Sequence, residues 1–384
     1  MNDIYNELHF DNRIIPTFKN REKSFWDVFL KNTKKHPSDI AVTDDQKKIS
    51  YQEMFDLVSK LSNYFQKLKL IKKDRICVLF ENSWPLTVYI LAGLKNGIIV
   101  VPLNPRSSKI ENKLIINDCG ASYIFSDKKL KNNLPTLDKL QSTVNIIFFD
   151  ELQLHKYEIL PLKKENIIDE EDTAFILYTS GTTGKPKGAM ITNLNIIHSC
   201  IHFKTHFKLT NEDNCILVVP ASHVTGLIAH IMTILYAGGT LILMKSFNVK
   251  DFLNLAEKEK LSYLIMVPAM YNLCIHRENL SKYNLSNWRI GCFGGAPMPL
   301  GTIKKLKELL PNLMLVNAYG STETCSPATL MPLEYNEKLI ASIGKPVSTG
   351  KILVMNENNQ EVKVGEIGEF WISGPMVIPG YWKD

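Results

Sequence analysis

Residues 174–188 read Ala174-Phe175-Ile176-Leu177-Tyr178-Thr179-Ser180-Gly181-Thr182-Thr183-Gly184-Lys185-Pro186-Lys187-Gly188. The first part is apolar, which predicts a buried strand, and the last ten residues hold four hydroxyls, three glycines and two lysines. Short hydroxyls, glycine backbone N–H groups and lysine charges are groups that hold polyphosphate. The stretch therefore predicts a phosphate-binding loop at the end of a buried strand.

Two other interpretations fit this stretch less well. An ordinary surface loop has a similar composition, because Ser, Thr and Gly also dominate connections that bind nothing. The P-loop pattern G-x-x-x-x-G-K-[ST] does not fit, because Gly184 follows Gly181 too closely and Pro186 stands where Ser or Thr is required. The density and order of the donors favour a phosphate loop of another kind.

The rest of the chain alternates between apolar runs and helical patterns. Ser50 and Glu53 form a capping-box pattern at the start of one predicted helix, which is followed by apolar residues at helical spacing. Apolar strands separated by helices predict parallel sheets that are covered on both faces. The predicted strands are 76–80, 98–101, 123–125, 146–149, 174–178, 216–219, 240–244, 263–267, 289–293 and 313–316.

The sequence pattern changes near residue 329, where the alternation of apolar runs and helical patterns ends. Short strands over 351–355, 361–364 and 369–372, separated by turns, predict an antiparallel or barrel-like piece at this end of the chain. The fold class predicted from the sequence is therefore α/β with a small β part.

Composition narrows the class of ligand. The 384 residues are 45% hydrophobic and 22% charged, which is typical of a globular chain with two or three packed units. The net charge of +6 comes from scattered lysines, and such a surface favours anionic ligands such as ATP or coenzyme A. The sequence has no basic tract interleaved with aromatic residues, which is the pattern that would indicate nucleic-acid binding.

The cysteines and apolar stretches bear on location. Seven cysteines without a C-x-x-C pair predict reduced, mostly buried thiols in a cytoplasmic protein, and residues 1–7 lack the pattern of a secretory signal. Residues 215–244 contain no Asp, Glu, Lys or Arg and are long enough to span a bilayer. Pro220, Gly226 and Gly238 interrupt them, which favours a buried core over a transmembrane segment.

Four further stretches follow the loop in a fixed order. With it, they resemble the signature motifs of the acyl-adenylate-forming superfamily, which comprises acyl-CoA synthetases, amino-acid adenylation domains and luciferases. They are Pro220–Leu227, Gly294-Gly295-Ala296-Pro297, Asn317-Ala318-Tyr319-Gly320-Ser321-Thr322-Glu323, and Gly365–Glu369 followed by Gly380-Tyr381-Trp382.

The resemblance covers most of the chain and implies an architecture. Residues 1–384 would form an AMP-binding large N-terminal domain with two αβαβα-type parts, largely parallel sheets and a small distorted β-barrel. The approximate parts are 1–172, 173–328 and 329–384.

The resemblance also implies roles for residues. Thr183, Lys187, Thr322 and Glu323 would be catalytic, with Thr322 donating to the α-phosphate and Glu323 holding Mg²⁺, while Tyr319 would stack on adenine. On its own, this last motif also fits a plain turn with a capping pair. The expected ATP- or AMP-binding residues are Thr179, Ser180, Gly181, Thr182, Thr183, Gly184, Lys187, Gly294, Gly295, Ala296, Pro297, Asn317, Ala318, Tyr319, Gly320, Ser321 and Thr322.

The acid would bind beside His223, with Thr225, Gly226 and Leu227 as further substrate residues. Adenylation domains of peptide synthetases typically carry Asp at the position of His223, so the histidine favours an acid without an amino group. Ser222 stands where related CoA synthetases often carry an aromatic residue, and the size of the acyl pocket stays open. The apolar helix over 227–236 fits the wall of an acyl tunnel and core packing equally well.

The implied activity is ATP-dependent conversion of a small-molecule carboxylic acid to an acyl-adenylate, followed by thioester formation with coenzyme A. ATP, Mg²⁺ and coenzyme A are the expected cofactor and co-substrates, and we allow for a homodimer. A carrier protein as acceptor and a non-catalytic ligand-binding or scaffold relative remain as alternatives. The family's small C-terminal domain, which bears the adenylation lysine, is expected to be absent from these residues, so the chain is expected to bind nucleotide but to adenylate poorly.

Overall fold

The computed structural model describes residues 3–136, 140, 143–159, 168–180, 185–335, 339 and 341–384. The helices are α1 (Phe25–Lys35), α2 (Tyr51–Lys67), α3 (Trp84–Asn96), α4 (Lys109–Cys119), α5 (Asn193–Phe207), α6 (Thr233–Ala237), α7 (Val249–Lys258), α8 (Pro268–Arg277) and α9 (Leu300–Leu309), with a π-helix at Thr225–Met232.

The strands are β1 (Ile4–His9), β2 (Arg13–Phe18), β3 (Ile40–Thr43), β4 (Lys48–Ser50), β5 (Arg75–Leu79), β6 (Ile99–Pro102), β7 (Tyr123–Ser126), β8 (Asn145–Phe148), β9 (Thr173–Ser180), β10 (Pro186–Thr192), β11 (Asn214–Leu217), β12 (Thr240–Leu243), β13 (Tyr263–Met266), β14 (Ile290–Phe293), β15 (Met314–Tyr319), β16 (Thr329–Leu330), β17 (Lys345–Pro346), β18 (Lys351–Met355) and β19 (Glu369–Ser373). Each strand predicted from the sequence over 76–316 coincides with one of these to within a few residues.

Two large sheets organise the chain. The first has the order β10-β9-β6-β5-β7-β8 and is parallel except for β10, and the second has the order β17-β16-β15-β14-β13-β11-β12-β3-β4 and is parallel from β15 to β3. The sheets exchange strands across residue 172, because β3 and β4 join the second sheet while β9 and β10 join the first. Membership of a sheet therefore does not follow the approximate parts 1–172 and 173–328.

Side chains that alternate along single strands fill cores on both faces of each sheet. Ile76 and Val78 of β5 point into the central core, which also holds residues of α1, α2, α3 and α5, whereas Cys77 and Leu79 pack with α4 on the other face. In the second sheet, Leu217 faces the central core and Ile216 faces α7 to α9. The layers are thus helix, sheet, helices, sheet, helix, an αβαβα order that the two sheets form together.

The β part beyond residue 329 is simpler than predicted. β16 and β17 extend the second sheet, and β18 pairs with β19 as a separate antiparallel hairpin. The strand predicted over 361–364 amounts to a single bridge between Met355 and Glu361. Within the described residues, these elements are short antiparallel pairs, and the predicted barrel stays a prediction.

Two predictions about buried segments are confirmed. Residues 215–244 fold as β11, the π-helix, α6 and β12, with both strands in the second sheet. Among the helices of the described residues, none combines the length and apolar character needed to cross a membrane. All seven cysteines lie in the described part of the chain, and each is a buried free thiol.

Candidate functional site

The predicted phosphate loop leaves the edge of the first sheet. β9 ends at Ser180, and β10 returns antiparallel to it, which places Lys187 directly opposite Thr179. Both residues line a cavity of about 750 Å³. Of the other predicted loop residues, Gly181, Thr182, Thr183 and Gly184 and the side chain of Ser180 lie outside the described residues. The structure thus places the two ends of the loop at the cavity.

Loops from the second sheet form the opposite wall. β14 and β15 are parallel neighbours, so the residues after their carboxyl ends meet at one edge of the sheet. A Cβ on Gly294 would lie 2.4 Å from the backbone oxygen of Ala318, so this close approach requires glycine. Among the predicted nucleotide residues, this wall of the cavity contains Gly294, Gly295, Ala318, Gly320, Ser321 and Thr322, together with the predicted metal residue Glu323.

His223 and Thr225 line the same cavity beside the amino end of the π-helix. His223 is exposed into the cavity, yet surrounding protein atoms and the nearby positive charge of Arg106 lower its pKa below the usual value. Its imidazole is therefore neutral near pH 7. A neutral ring can donate or accept a hydrogen bond without adding charge to the cavity.

Several predicted site residues are not part of this cavity's described lining. The side chain of Asn317 donates to the backbone oxygen of Ser342 at 3.0 Å, and Tyr319 packs its ring edge-on against Phe370. Leu227 is fully buried in the central core. The residues among the predicted set that do not belong to the described cavity lining are Ala296, Pro297, Asn317, Tyr319, Gly226 and Leu227.

Gly226 has a packing role. A Cβ there would meet the backbone oxygen of Pro220 at 2.3 Å, so glycine allows the π-helix to start directly against the preceding turn. This turn carries His223, whose backbone N–H donates to the same Pro220 oxygen at 3.1 Å. Gly226 thus positions the histidine loop.

The structure adds residues that the sequence analysis did not assign. Tyr381 lines the cavity, and its hydroxyl donates to Oε1 of Glu323 at 2.7 Å. The Nζ atom of Lys187 lies 5.2 Å from the centroid of the Tyr381 ring. In the sequence, Tyr381 belongs to the Gly380-Tyr381-Trp382 motif, which by itself predicts no role for the tyrosine. The added apolar lining consists of Val219, Pro220, Val224, Ile265, Met266 and Val267.

The Glu323 carboxyl is ionised near neutral pH. Its partial burial favours the neutral acid, but hydrogen bonds from Tyr381 and Ser321 favour the carboxylate, and the pKa lies below its ordinary value. The cavity therefore presents an anion at Glu323 and a cation at Lys187. One carboxylate with room for phosphate oxygens and water is a donor set that Mg²⁺ accepts, so the residues present fit the predicted metal.

The comparisons with known proteins decide the family. Residues 29–382 match the model of the AMP-binding enzyme family. The chain belongs to this family. Family membership accounts for the order of the motifs and for their meeting at one cavity.

Curated relatives of this AMP-binding chain include CoA ligases. The chain is 25% identical over 356 residues to indoleacetate–CoA ligase of Aromatoleum aromaticum, covering 91% of this chain and 69% of the relative. It is 28% identical over 352 residues to 2-succinylbenzoate–CoA ligase of Bacillus pumilus, covering 90% and 68%.

A solved structure supports the fold. The inhibitor-bound N-terminal domain of FACL13 from Mycobacterium tuberculosis superimposes with a TM-score of 0.87 at 24% identity, covering 94% of this chain and 92% of that one. The predicted α/β fold with largely parallel sheets is thereby confirmed.

Proposed function

We propose that this chain is the nucleotide- and acid-binding domain of an acid–thiol ligase, which activates a carboxylic acid with ATP and transfers the acyl group to coenzyme A. The observation that carries the proposal is that one cavity is lined by Thr179 and Lys187, by Thr322 and Glu323, and by His223. The two CoA ligases described above, which are relatives of this chain, support the same reaction.

The first step requires charge neutralisation and alignment. A substrate carboxylate is already ionised at pH 7, so it attacks the α-phosphorus without a general base, and pyrophosphate leaves. Lys187 offers a fixed cation to the phosphates, and the hydroxyls of Thr179 and Thr322 can donate to phosphate oxygens. Glu323 would hold Mg²⁺, which supplies positive charge to the phosphate oxygens when bound.

The acid side of the cavity is largely apolar. Val219, Val224 and Ile265 line the cavity that His223 enters. An apolar wall with a single neutral imidazole suits an acid with an apolar body and lacks a carboxylate partner for an ammonium group. We therefore propose a fatty or aryl acid, not an amino acid, as substrate.

The test is acid-dependent exchange of labelled pyrophosphate into ATP, measured over a panel of fatty, aryl and amino acids. We expect exchange with fatty or aryl acids and none without an acid. Thioester formation is then compared with coenzyme A and with a phosphopantetheinyl carrier protein as acceptor. Preference for the carrier would replace the CoA assignment.

A direct binding measurement completes this experiment. Calorimetry with ATP and with a non-hydrolysable acyl-adenylate analogue reports on the cavity even where turnover is low. If neither ligand binds and no acid supports exchange, the protein is a scaffold relative and the proposed activity is wrong.

A further inference from the structure

Residues 378–382 connect the two walls of the cavity. The backbone N–H of Ile378 donates to the backbone oxygen of Glu323 at 3.0 Å, next to the turn after β15. Further along, the N–H of Trp382 donates to Gly188 at 2.7 Å, and Gly380 accepts from Met190 at 3.1 Å, both on β10. This short segment therefore bonds to the first sheet and to the loop of the second sheet.

Tyr381 lies in this bridging segment and contacts two charged side chains of the cavity, Glu323 and Lys187. Its hydroxyl donates to Oε1 of Glu323 at 2.7 Å, and its ring lies 5.2 Å below the Nζ of Lys187. Charge-assisted hydrogen bonds and cation–π contacts both fix direction as well as distance.

Side chains outside the cavity anchor both ends of the segment. Arg13 on β2 donates from Nη1 to the oxygen of Ile378 and from Nη2 to that of Pro379, each at 2.8 Å. At the other end, the indole Nε1 of Trp382 donates to the backbone oxygen of Asp118 at 3.2 Å. Tyr381 is therefore held on both sides by contacts that do not involve a ligand.

We infer that Tyr381 is a positioning residue for the proposed ATP-dependent activation: it fixes the Glu323 carboxylate and the Lys187 ammonium across the cavity. The Tyr381 hydroxyl donates to Oε1 of Glu323 and thereby sets the direction in which Oε2 points. Arg13 contributes by holding the segment that carries Tyr381. This inference rests on the proposed function, because it assigns Glu323 to Mg²⁺ and Lys187 to phosphate.

The experiment compares Tyr381→Phe, which keeps the ring, with Tyr381→Leu, which also removes the cation–π contact. Tyr283→Phe is the matched control, because the Tyr283 hydroxyl also donates to a carboxylate, that of Glu278 at 3.2 Å, away from the cavity. ATP binding is measured by calorimetry at several Mg²⁺ concentrations. Metal binding in the presence of ATP is measured separately by electron paramagnetic resonance with Mn²⁺, and thermal unfolding is followed for every variant.

For Tyr381→Phe we expect an unchanged ATP affinity without metal. The dissociation constant of the metal in the presence of ATP should rise about ten- to hundredfold, since one hydrogen bond to a charged group is lost. Tyr381→Leu should in addition weaken metal-free ATP binding. Arg13→Lys should also raise the dissociation constant of the metal, but by a smaller factor. Tyr283→Phe should match the wild type in every measurement.

The inference is overturned if Tyr381→Phe binds the metal as tightly as the wild-type protein does in the presence of ATP. So would an equal loss in every readout accompanied by a lower unfolding temperature, because this pattern indicates a purely structural role. Failure of the wild-type protein to bind ATP is a different result, which refutes the proposed function itself.

Discussion

Replacing Gly294 by alanine tests whether the close approach of the two strand-end loops forms the nucleotide wall. The added Cβ would lie 2.4 Å from the backbone oxygen of Ala318, far inside van der Waals contact. Ala318 cannot move freely, because it pairs with Leu330 in the antiparallel extension of the second sheet. The clash must therefore push the loop after β14 away from the end of β15.

The expected cost follows from overpacking. Forcing an extra carbon into a packed site typically destabilises a protein by about 1 to 3 kcal/mol. We expect Gly294→Ala to lower the free energy of unfolding by this amount in urea titrations. Because the same loops line the cavity, the dissociation constant for ATP should rise by about tenfold, which corresponds to about 1.4 kcal/mol.

Gly301→Ala is the matched control. Gly301 lies in the first turn of α9, where an added Cβ meets nothing within 4 Å. Alanine there should raise the free energy of unfolding by up to about 1 kcal/mol and leave ATP binding unchanged. If Gly294→Ala behaves like Gly301→Ala in both measurements, the two loops are not in contact as described and the reasoning is refuted.

Three further perturbations address the charged and titrating groups. Lys187→Met should slow pyrophosphate exchange by about a few hundredfold without unfolding the protein, because the lysine is an exposed, preorganised charge. An unchanged exchange rate would show that Lys187 does not take part in the reaction. His223→Ala should raise the acid concentration needed for half-maximal exchange while sparing ATP affinity in calorimetry, and the opposite pattern would place it on the nucleotide side. His198 is buried between the backbone of Phe18 and Leu194, and burial lowers its pKa to about 3. The unfolded chain therefore binds the proton first, and this group should lower the free energy of unfolding by about 1.7 kcal/mol in total as pH drops from 6.5 to 5. The slope approaches about 1.4 kcal/mol per pH unit at the lower end of this window. A flat urea-unfolding profile over the same window would contradict this prediction.

The regular part of the fold was predictable because buried strands are locally encoded. β5, β7 and β13 are apolar runs bounded by polar residues, and the helix after Ser50 carries its capping box in the structure as in the sequence. β10 was missed because Pro186, Lys187 and Gly188 have low strand propensity and resemble a loop. Pairing with β9 overrides that local preference. The place of β3 and β4 in the second sheet is equally non-local, since no short pattern reveals a distant partner.

The site shows the same division. Residues that motifs identify, such as Lys187, His223 and Thr322, line one cavity. His223 and Thr322 lie in loops that follow strands, and Lys187 lies at the start of β10. The placement of Tyr319 against Phe370 depends on the β18–β19 hairpin, which lies more than thirty residues further along the chain. Leu227 fits a cavity wall and a core position equally well by hydrophobicity, and only packing assigns it to the core.

The separation of Lys187 and Glu323 is set by whole sheets, and this has a consequence for the chemistry. Lys187 belongs to β10, at the edge of the first sheet, whereas Glu323 follows β15 in the second. One continuous core packs residues of both sheets, so the relative position of cation and carboxylate is as rigid as that core. Preorganised charges of this kind need no reorganisation when negative charge develops on a phosphate. The bridging segment at 378–382 then has only to orient the two side chains. The hydrogen bond from Tyr381 to Glu323 and the contact of its ring with Lys187 are sufficient for this.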